Sequence, residues 1–224
     1  MPLFGSLHLT LLGLISAIAI GLCVLLRRKK LSPTAFRWSL AGGLAINELI
    51  WWVYRYSHEG LRFPFNLPLQ LCDLSLWVTV LACATLVPTI VEFAYFAGLA
   101  GAGMALLTPD LWSPWPTYPA VYFFVAHGGI VIGAGVLVYG EIAQLRTGAV
   151  WRAFGMLVAY ATIVGTFNAI FKSNYMYLRQ KPANASLLDA LGPWPMYLIA
   201  GAVVGLALFW LLWLPARPTP QAET

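Results

Sequence analysis

Charge is what this sequence has least of. Only 9% of its 224 residues are Asp, Glu, Lys or Arg, against roughly 25% in a soluble domain. A soluble protein of this size could not cover its surface with so few charges, whereas a surface facing lipid needs none. Histidine and cysteine are also sparse, at three each. His8, His58 and His127 lie in unrelated segments without ligand spacing, which argues against a metal site. Cys23, Cys72 and Cys83 fall at different depths in their apolar segments, which argues against a disulfide framework. No cofactor is expected. No window resembles an additional soluble domain, and no internal repeat points to a transporter with inverted halves. The formal charge of +5 does not indicate nucleic acid. The only dense basic run, Arg27, Arg28, Lys29 and Lys30 with Arg37 nearby, sits between two apolar stretches, where positive-inside anchors belong.

What the sequence has is hydrophobic length. Sixty per cent of its residues are hydrophobic, and a membrane span takes about 20 mostly apolar ones. Seven segments approach this, at about 7–26, 36–56, 68–87, 90–107, 119–141, 149–171 and 194–214. The expectation is an all-α polytopic bundle of about seven spans, a single transmembrane domain over 1–214, and a short disordered tail over 215–224. The third and fourth spans are joined by a very tight turn at Pro88–Thr89. The first segment is read as a retained helix, because its positive charges follow the apolar run instead of preceding it. With the N-terminus outside and the C-terminus inside, the inner loops collect Arg27 to Lys30, Arg37, Arg146, Arg152 and Arg217. The outer side holds Arg55, Arg62, Lys172, Arg179 and Lys181. Gly129 with Gly133, and Gly201 with Gly205, have the spacing that lets helices approach closely.

Polar residues inside apolar segments are costly and face a bundle interior or a cavity. The third span begins Asn66-Leu67-Pro68-Leu69-Gln70-Leu71-Cys72-Asp73-Leu74-Ser75. Asn66 is expected as its N-cap and Pro68 in its first turn, so that Cys72 falls in the second turn. Cys72, Ser75, Thr79 and Cys83 recur at helical spacing and share a face. His127, the one histidine well inside an apolar segment, lies roughly 12 Å below the outer boundary, and Cys72 roughly 6 Å below it. Asn168 and the run Lys172 to Pro182 close the sixth span, and the stretch to Trp194 opens the seventh. Four chain regions thus bring their least lipid-like residues to one side of the membrane.

The chemistry this allows is nucleophilic. Thiolate is the reactive form of cysteine, and a neighbouring histidine can generate it as a general base. Cys72 and His127 are the candidate catalytic pair, expected within roughly 3–5 Å or one water of each other. Gln70, Asn168, Asn174, Tyr175 and Tyr177 are candidates for orienting groups or oxyanion donors. Lys172, Arg179 and Lys181 are placed to grip lipid phosphates, and Phe123, Phe124 and Trp194 to wall an acyl-chain cavity. Plainer roles stand beside these. A membrane cysteine is often a small apolar filler. Asn168 can bridge helices by a hydrogen bond, and Trp194 can be an interfacial belt residue.

The motifs Leu67-Pro68-Leu69-Gln70-Leu71-Cys72-Asp73, Phe123-Phe124 to His127, Asn174-Tyr175-Met176-Tyr177-Leu178 with Lys181-Pro182, and Gly192-Pro193-Trp194-Pro195 occur in order across nearly the whole chain. Together they resemble the YwaF-like integral membrane family, which includes the eukaryotic transmembrane protein 164. The resemblance implies a phospholipid transacylase that moves an acyl chain onto a lysophospholipid through a cysteine, with Cys72 matching the nucleophile and His127 the histidine. It also implies a fold similar to the androgen-induced-gene membrane hydrolases, which use a threonine with a histidine. The partners expected are membrane phospholipid and lysophospholipid; in a bacterial cell the location would be the plasma membrane, with the site toward the outer leaflet. A lipid ester hydrolase with the same Cys–His pair, and a non-catalytic lipid-binding or transport protein, are the competing classes. For topology the expected outcome is that a cysteine introduced at Thr224 is not labelled by an impermeant reagent outside sealed cells. Labelling there would overturn the orientation.

Overall fold

The computed structural model describes residues 2–111, 113–182 and 187–217. Its regular structure is helical, with no strand among the described residues. Each apolar segment of the sequence becomes one helix. These are α1 (Ser6–Arg27), α2 (Pro33–Glu59), α3 (Leu71–Thr85), α4 (Pro88–Leu107), α5 (Tyr118–Tyr139), α6 (Ala149–Phe171) and α7 (Met196–Ala216). Five of them, all but α2 and α3, are long and apolar enough to cross a membrane. The two exceptions carry several of the polar residues discussed below. With 27 residues, α2 has the length, but Arg37, Glu48, Arg55 and Glu59 lie along it. With 15 residues, α3 extends roughly 22 Å, less than the ~30 Å hydrocarbon core.

The sequence placed the start of α3 too early. Asn66 does not cap it. The Asn66 side chain is buried and holds the preceding loop, accepting from the Arg62 amide at 2.8 Å and donating to the Gly60 carbonyl at 2.6 Å. Leu67, Pro68 and Leu69 stay out of the helix because their backbone is engaged elsewhere. The Leu67 amide donates to the Tyr175 hydroxyl at 2.8 Å, and the Leu69 carbonyl accepts from the Tyr160 hydroxyl at 3.2 Å. The helix begins where Gln70 and Asp73 form a capping box, with the Gln70 amide 3.0 Å from an Asp73 carboxylate oxygen. Cys72 therefore lies in the first turn and not the second. At the other end the tight turn is as expected: Leu86 adopts a left-handed conformation (φ 56°) and Pro88 opens α4. Arg37 of α2 donates to the carbonyls of Cys83 and Ala84 at 2.7 and 2.9 Å, satisfying two of the orphan acceptors at that helix end.

The most enclosed helices are α5 and α4, whereas α1, α6 and α7 present most of their surface outward. α4 contains a π turn at Ala94–Gly98 whose five residues are all buried. The last helix runs through Pro215 to Ala216, into the stretch expected as tail; residues 218–224 lie outside the described part. At the end of the bundle away from α3's start, the buried Glu92 accepts from Arg146 at 2.9 and 3.1 Å and from Arg152 at 2.8 Å through both Nε and Nη2. This ties α4 to the α5–α6 connection and to the first turn of α6.

The two glycine pairs divide. Gly129 and Gly133 lie where side chains of α2 and α3 pack on α5. A Cβ on Gly129 would meet Leu44 Cδ2 at 2.5 Å, and one on Gly133 would meet Leu40 Cδ2 and Thr79 Cγ2, both at 2.7 Å. A Cβ added on Gly201 or Gly205 would meet nothing within 4 Å, so that pair marks no close contact among the described residues. Gly133→Val is expected to lower stability by about 1–3 kcal/mol through overpacking. Gly201→Ala and Gly205→Ala should be neutral or slightly stabilising, since alanine favours the helix. Thermal unfolding in one detergent checks both, and equal effects at Gly133 and Gly201 would contradict the packing described.

Candidate functional site

Four helices and two connections line a cavity of about 550 Å³ at the α3-start end of the bundle. From α3 and its cap come Gln70, Cys72, Asp73 and Leu76; from α5 come Tyr122, Phe123, Ala126, His127 and Ile130; and from α2 come Trp51, Arg55 and Glu59. The end of α4 and its following loop add Ala105, Thr108 and Asp110, and Tyr177 reaches in from the α6–α7 connection. The periodicities are those of helices presenting one face: 72, 73 and 76 on α3, 122/123, 126/127 and 130 on α5, and 51, 55 and 59 on α2.

Cys72 and His127 thus line the same space, although no hydrogen bond joins them among the described residues. His127 is buried and its Nδ1 lies 2.7 Å from the Phe123 carbonyl oxygen. A carbonyl only accepts, so Nδ1 carries the proton and Nε2 keeps the lone pair. The imidazole packs on the Phe123 ring with centroids 4.2 Å apart, which fixes its plane. Cys72 is the second residue of α3, where the amides of Leu71 and Cys72 have no intrahelical carbonyl to reach. The positive end of the helix dipole is at this turn, and so is the Asp73 carboxyl of the cap, which opposes it.

The remaining sequence candidates separate by position. Gln70, Tyr177 and Phe123 line the cavity. Asn168, Asn174 and Tyr175 do not, and their polar atoms hold the α6–α7 connection. Asn168 is fully buried; it donates to the Tyr175 carbonyl at 2.9 Å and accepts from the Ser173 hydroxyl at 2.8 Å and the Tyr175 amide at 2.9 Å. Asn174 bonds the backbone of Arg179 and Gln180. The Tyr175 hydroxyl donates to the Pro64 carbonyl at 2.6 Å, and burial raises its phenol above the ordinary value. Burial, with the Asp110 charge second, does the same for Tyr177. The connection is fastened over the cavity at three points. The Met176 amide donates to Gln70 Oε1 at 2.9 Å, the Tyr197 hydroxyl to the Tyr177 carbonyl, and Trp194 Nε1 to the Leu178 carbonyl at 3.2 Å. Lys172, Met176 and Tyr177 all have φ between 54° and 57°, a left-handed strain of the kind that clusters at ligand clamps.

Lys172, Arg179, Lys181, Phe124 and Trp194 lie away from the cavity lining. Lys181 pairs with Asp189 at 3.6 Å and sits over the Tyr197 ring. Phe124 faces an apolar cleft between α1, α2 and α5. What the sequence reading passed over is the wall supplied by α2. Trp51 stacks on Tyr122 at 4.2 Å and 12°. Behind them the buried Glu48 accepts from Tyr122 at 2.5 Å and Trp52 Nε1 at 2.7 Å. The signal was present: Glu48, Arg55 and Glu59 are ionisable residues at helical spacing in an apolar segment, and these call for a function or a partner.

Because Asn168 is the hub of the connection, Asn168→Ala is expected to destabilise the protein by about 1–3 kcal/mol through the buried backbone groups it leaves unpaired. Thermal unfolding in detergent measures it. Stability equal to that of the unsubstituted protein would remove Asn168 from the role described.

No curated protein and no solved structure gives a significant match to this chain. A family profile does: it extends over residues 3–213, so it takes in the first six helices, most of α7 and the whole cavity lining, and the chain belongs to the TMEM164 family.

Proposed function

We propose that the protein is a membrane-embedded lipid acyltransferase that moves a fatty acyl chain from a phospholipid to a lysophospholipid through a thioester on Cys72. The observation that carries this reading is one cavity lined by Cys72 and by a histidine whose free nitrogen is Nε2. In the first half-reaction His127 Nε2 takes the thiol proton and the sulfur attacks the ester carbonyl. The oxyanion is held by the Leu71 and Cys72 amides, with Gln70 and Tyr177 within the same space. The carbon–oxygen bond to glycerol breaks, and the leaving alkoxide receives the proton from the imidazolium. In the second half-reaction the hydroxyl of a lysolipid attacks the thioester, its proton passes to Nε2, and the thiolate leaves and recovers it.

In this reading Asn168, Asn174 and Tyr175 act on the site by fixing the connection that carries Tyr177. The chain crosses seven times, the short α3 completed by the non-helical stretch before Leu71, with the N-terminus outside, and the cavity opens toward the outer leaflet. The basic end of the bundle, with Arg37, Arg146 and Arg152, then faces inward. Hydrolysis is the second reading, supported by the carboxyl groups of Glu59, Asp73 and Asp110 along the cavity, which favour water. The two differ only in the acceptor of the acyl chain.

Cys72→Ala should abolish both acyl release from the donor and transfer to the acceptor, and Cys72→Ser should be far slower than the unsubstituted protein. His127→Ala should slow thioester formation by about 10²–10⁴-fold, because a small thiolate fraction persists without a base. Purified variants with a phospholipid donor, followed by lipid mass spectrometry and by the intact mass of the protein, measure all three. Undiminished transfer by Cys72→Ala would sink the mechanism and favour a non-catalytic lipid-binding or transport protein.

A further inference from the structure

The cavity lining carries one guanidinium, Arg55, and three carboxyl groups, Glu59, Asp73 and Asp110. Arg55 and Glu59 lie one turn apart on α2, their side chains partly exposed and 3.3 Å from each other. Such an exposed i,i+4 pair is weak and exchanges readily for another anion. Asp110, in the loop after α4, is exposed, and its charge acts on Tyr177 across the cavity. Cys72 and His127 lie on the walls of the same space.

A glycerophospholipid whose ester reaches Cys72 must put its phosphate one glycerol unit away and its headgroup beyond that. Arg55 is the one cationic side chain among the lining residues, and a guanidinium is the group best shaped to take a phosphate in a fork of two hydrogen bonds. When phosphate takes Arg55, the Glu59 carboxylate is released. Glu59 and Asp110, which line the same cavity, then present two negative charges to the headgroup, so an amine or quaternary ammonium is attracted and a second anion is repelled.

We propose that Arg55, with Glu59 and Asp110, is the headgroup-selecting site of the cavity, taking the phosphate–ammonium pair of a zwitterionic glycerophospholipid and rejecting headgroups with net negative charge. The inference rests on the lipid-enzyme reading but concerns binding, so it can be tested without turnover. Lys172, Arg179 and Lys181, which do not line the cavity, have no part in it.

The experiment measures protection of Cys72 from N-ethylmaleimide, resolved by peptide mass spectrometry, in the full-length detergent-solubilised protein. The ligands are a diether phosphocholine lipid and a diether phosphoglycerol lipid, which have no ester and cannot acylate the thiol. The phosphocholine lipid should half-protect at a concentration about tenfold lower than the phosphoglycerol lipid, since each like-charge contact made or avoided is worth up to about tenfold here. Arg55→Gln should raise the half-protecting concentration of both. Glu59→Gln with Asp110→Asn should bring the two lipids to within about twofold of each other. These positions are at the exposed rim, and unchanged thermal unfolding of the variants excludes a folding effect. Equal protection by the two lipids in the unsubstituted protein, or no response to Arg55→Gln, overturns the headgroup site alone. No protection by either lipid overturns the lipid-binding cavity and the enzyme reading with it.

Discussion

The cavity depends on side chains of α2 and α3 seating against two glycines of α5. Leu44, Leu40 and Thr79 occupy the space that a Cβ at Gly129 or Gly133 would take. In lipid, where apolar side chains gain little by leaving their surroundings, such close packing is a main source of helix association. Its consequence is directional. The side of α5 that offers Ala126, His127 and Ile130 turns toward α3, and α2 closes the wall with Trp51 against Tyr122. A bulkier residue at position 129 or 133 would push the walls apart and separate the two side chains on which the proposed chemistry depends.

A second constraint is the late start of α3. Tyr175 and Tyr160 draw the backbone of Leu67 and Leu69 into tertiary hydrogen bonds, and Pro68 has no amide to give to a helix. The helix waits for the Gln70–Asp73 cap, and Cys72 gains a first-turn position. The same Gln70 side chain holds the Met176 amide. One residue therefore sets the helix start beside the thiol and anchors the connection that overhangs it. The polar network around Asn168, Asn174 and Tyr175 belongs to this support. It keeps a strained run of left-handed residues in place without touching the cavity.

Much of this was legible in the sequence. The shortage of charge and seven apolar runs gave seven helices with boundaries close to those observed, and the turn before Pro88 was readable from its proline. The intramembrane histidine and Cys72 stood out as costly or reactive residues in apolar surroundings. Less was legible where a residue's value depends on its partner. Asn168 and Tyr175 have the same donors and acceptors whether they face a substrate or a loop carbonyl, and only the fold shows which. Lys172, Arg179 and Lys181 are close to the site in sequence, but the connection turns them away from the cavity.

By itself, the sequence determined the helical membrane class, the positions of the helices and the clustering of polar side chains toward one end. These follow from local rules of length, apolarity and the cost of burying charge, and they need no knowledge of which helix meets which. The tertiary structure alone decided that α2 supplies the third wall, that Glu48 rests on Tyr122 and Trp52, that Cys72 lies in a first turn, and that Gly129 and Gly133 are packed while Gly201 and Gly205 are not. Helical periodicity gives the face a residue occupies relative to its own helix. Which neighbour that face meets is set by the rotation and closeness of packing between helices distant in the chain.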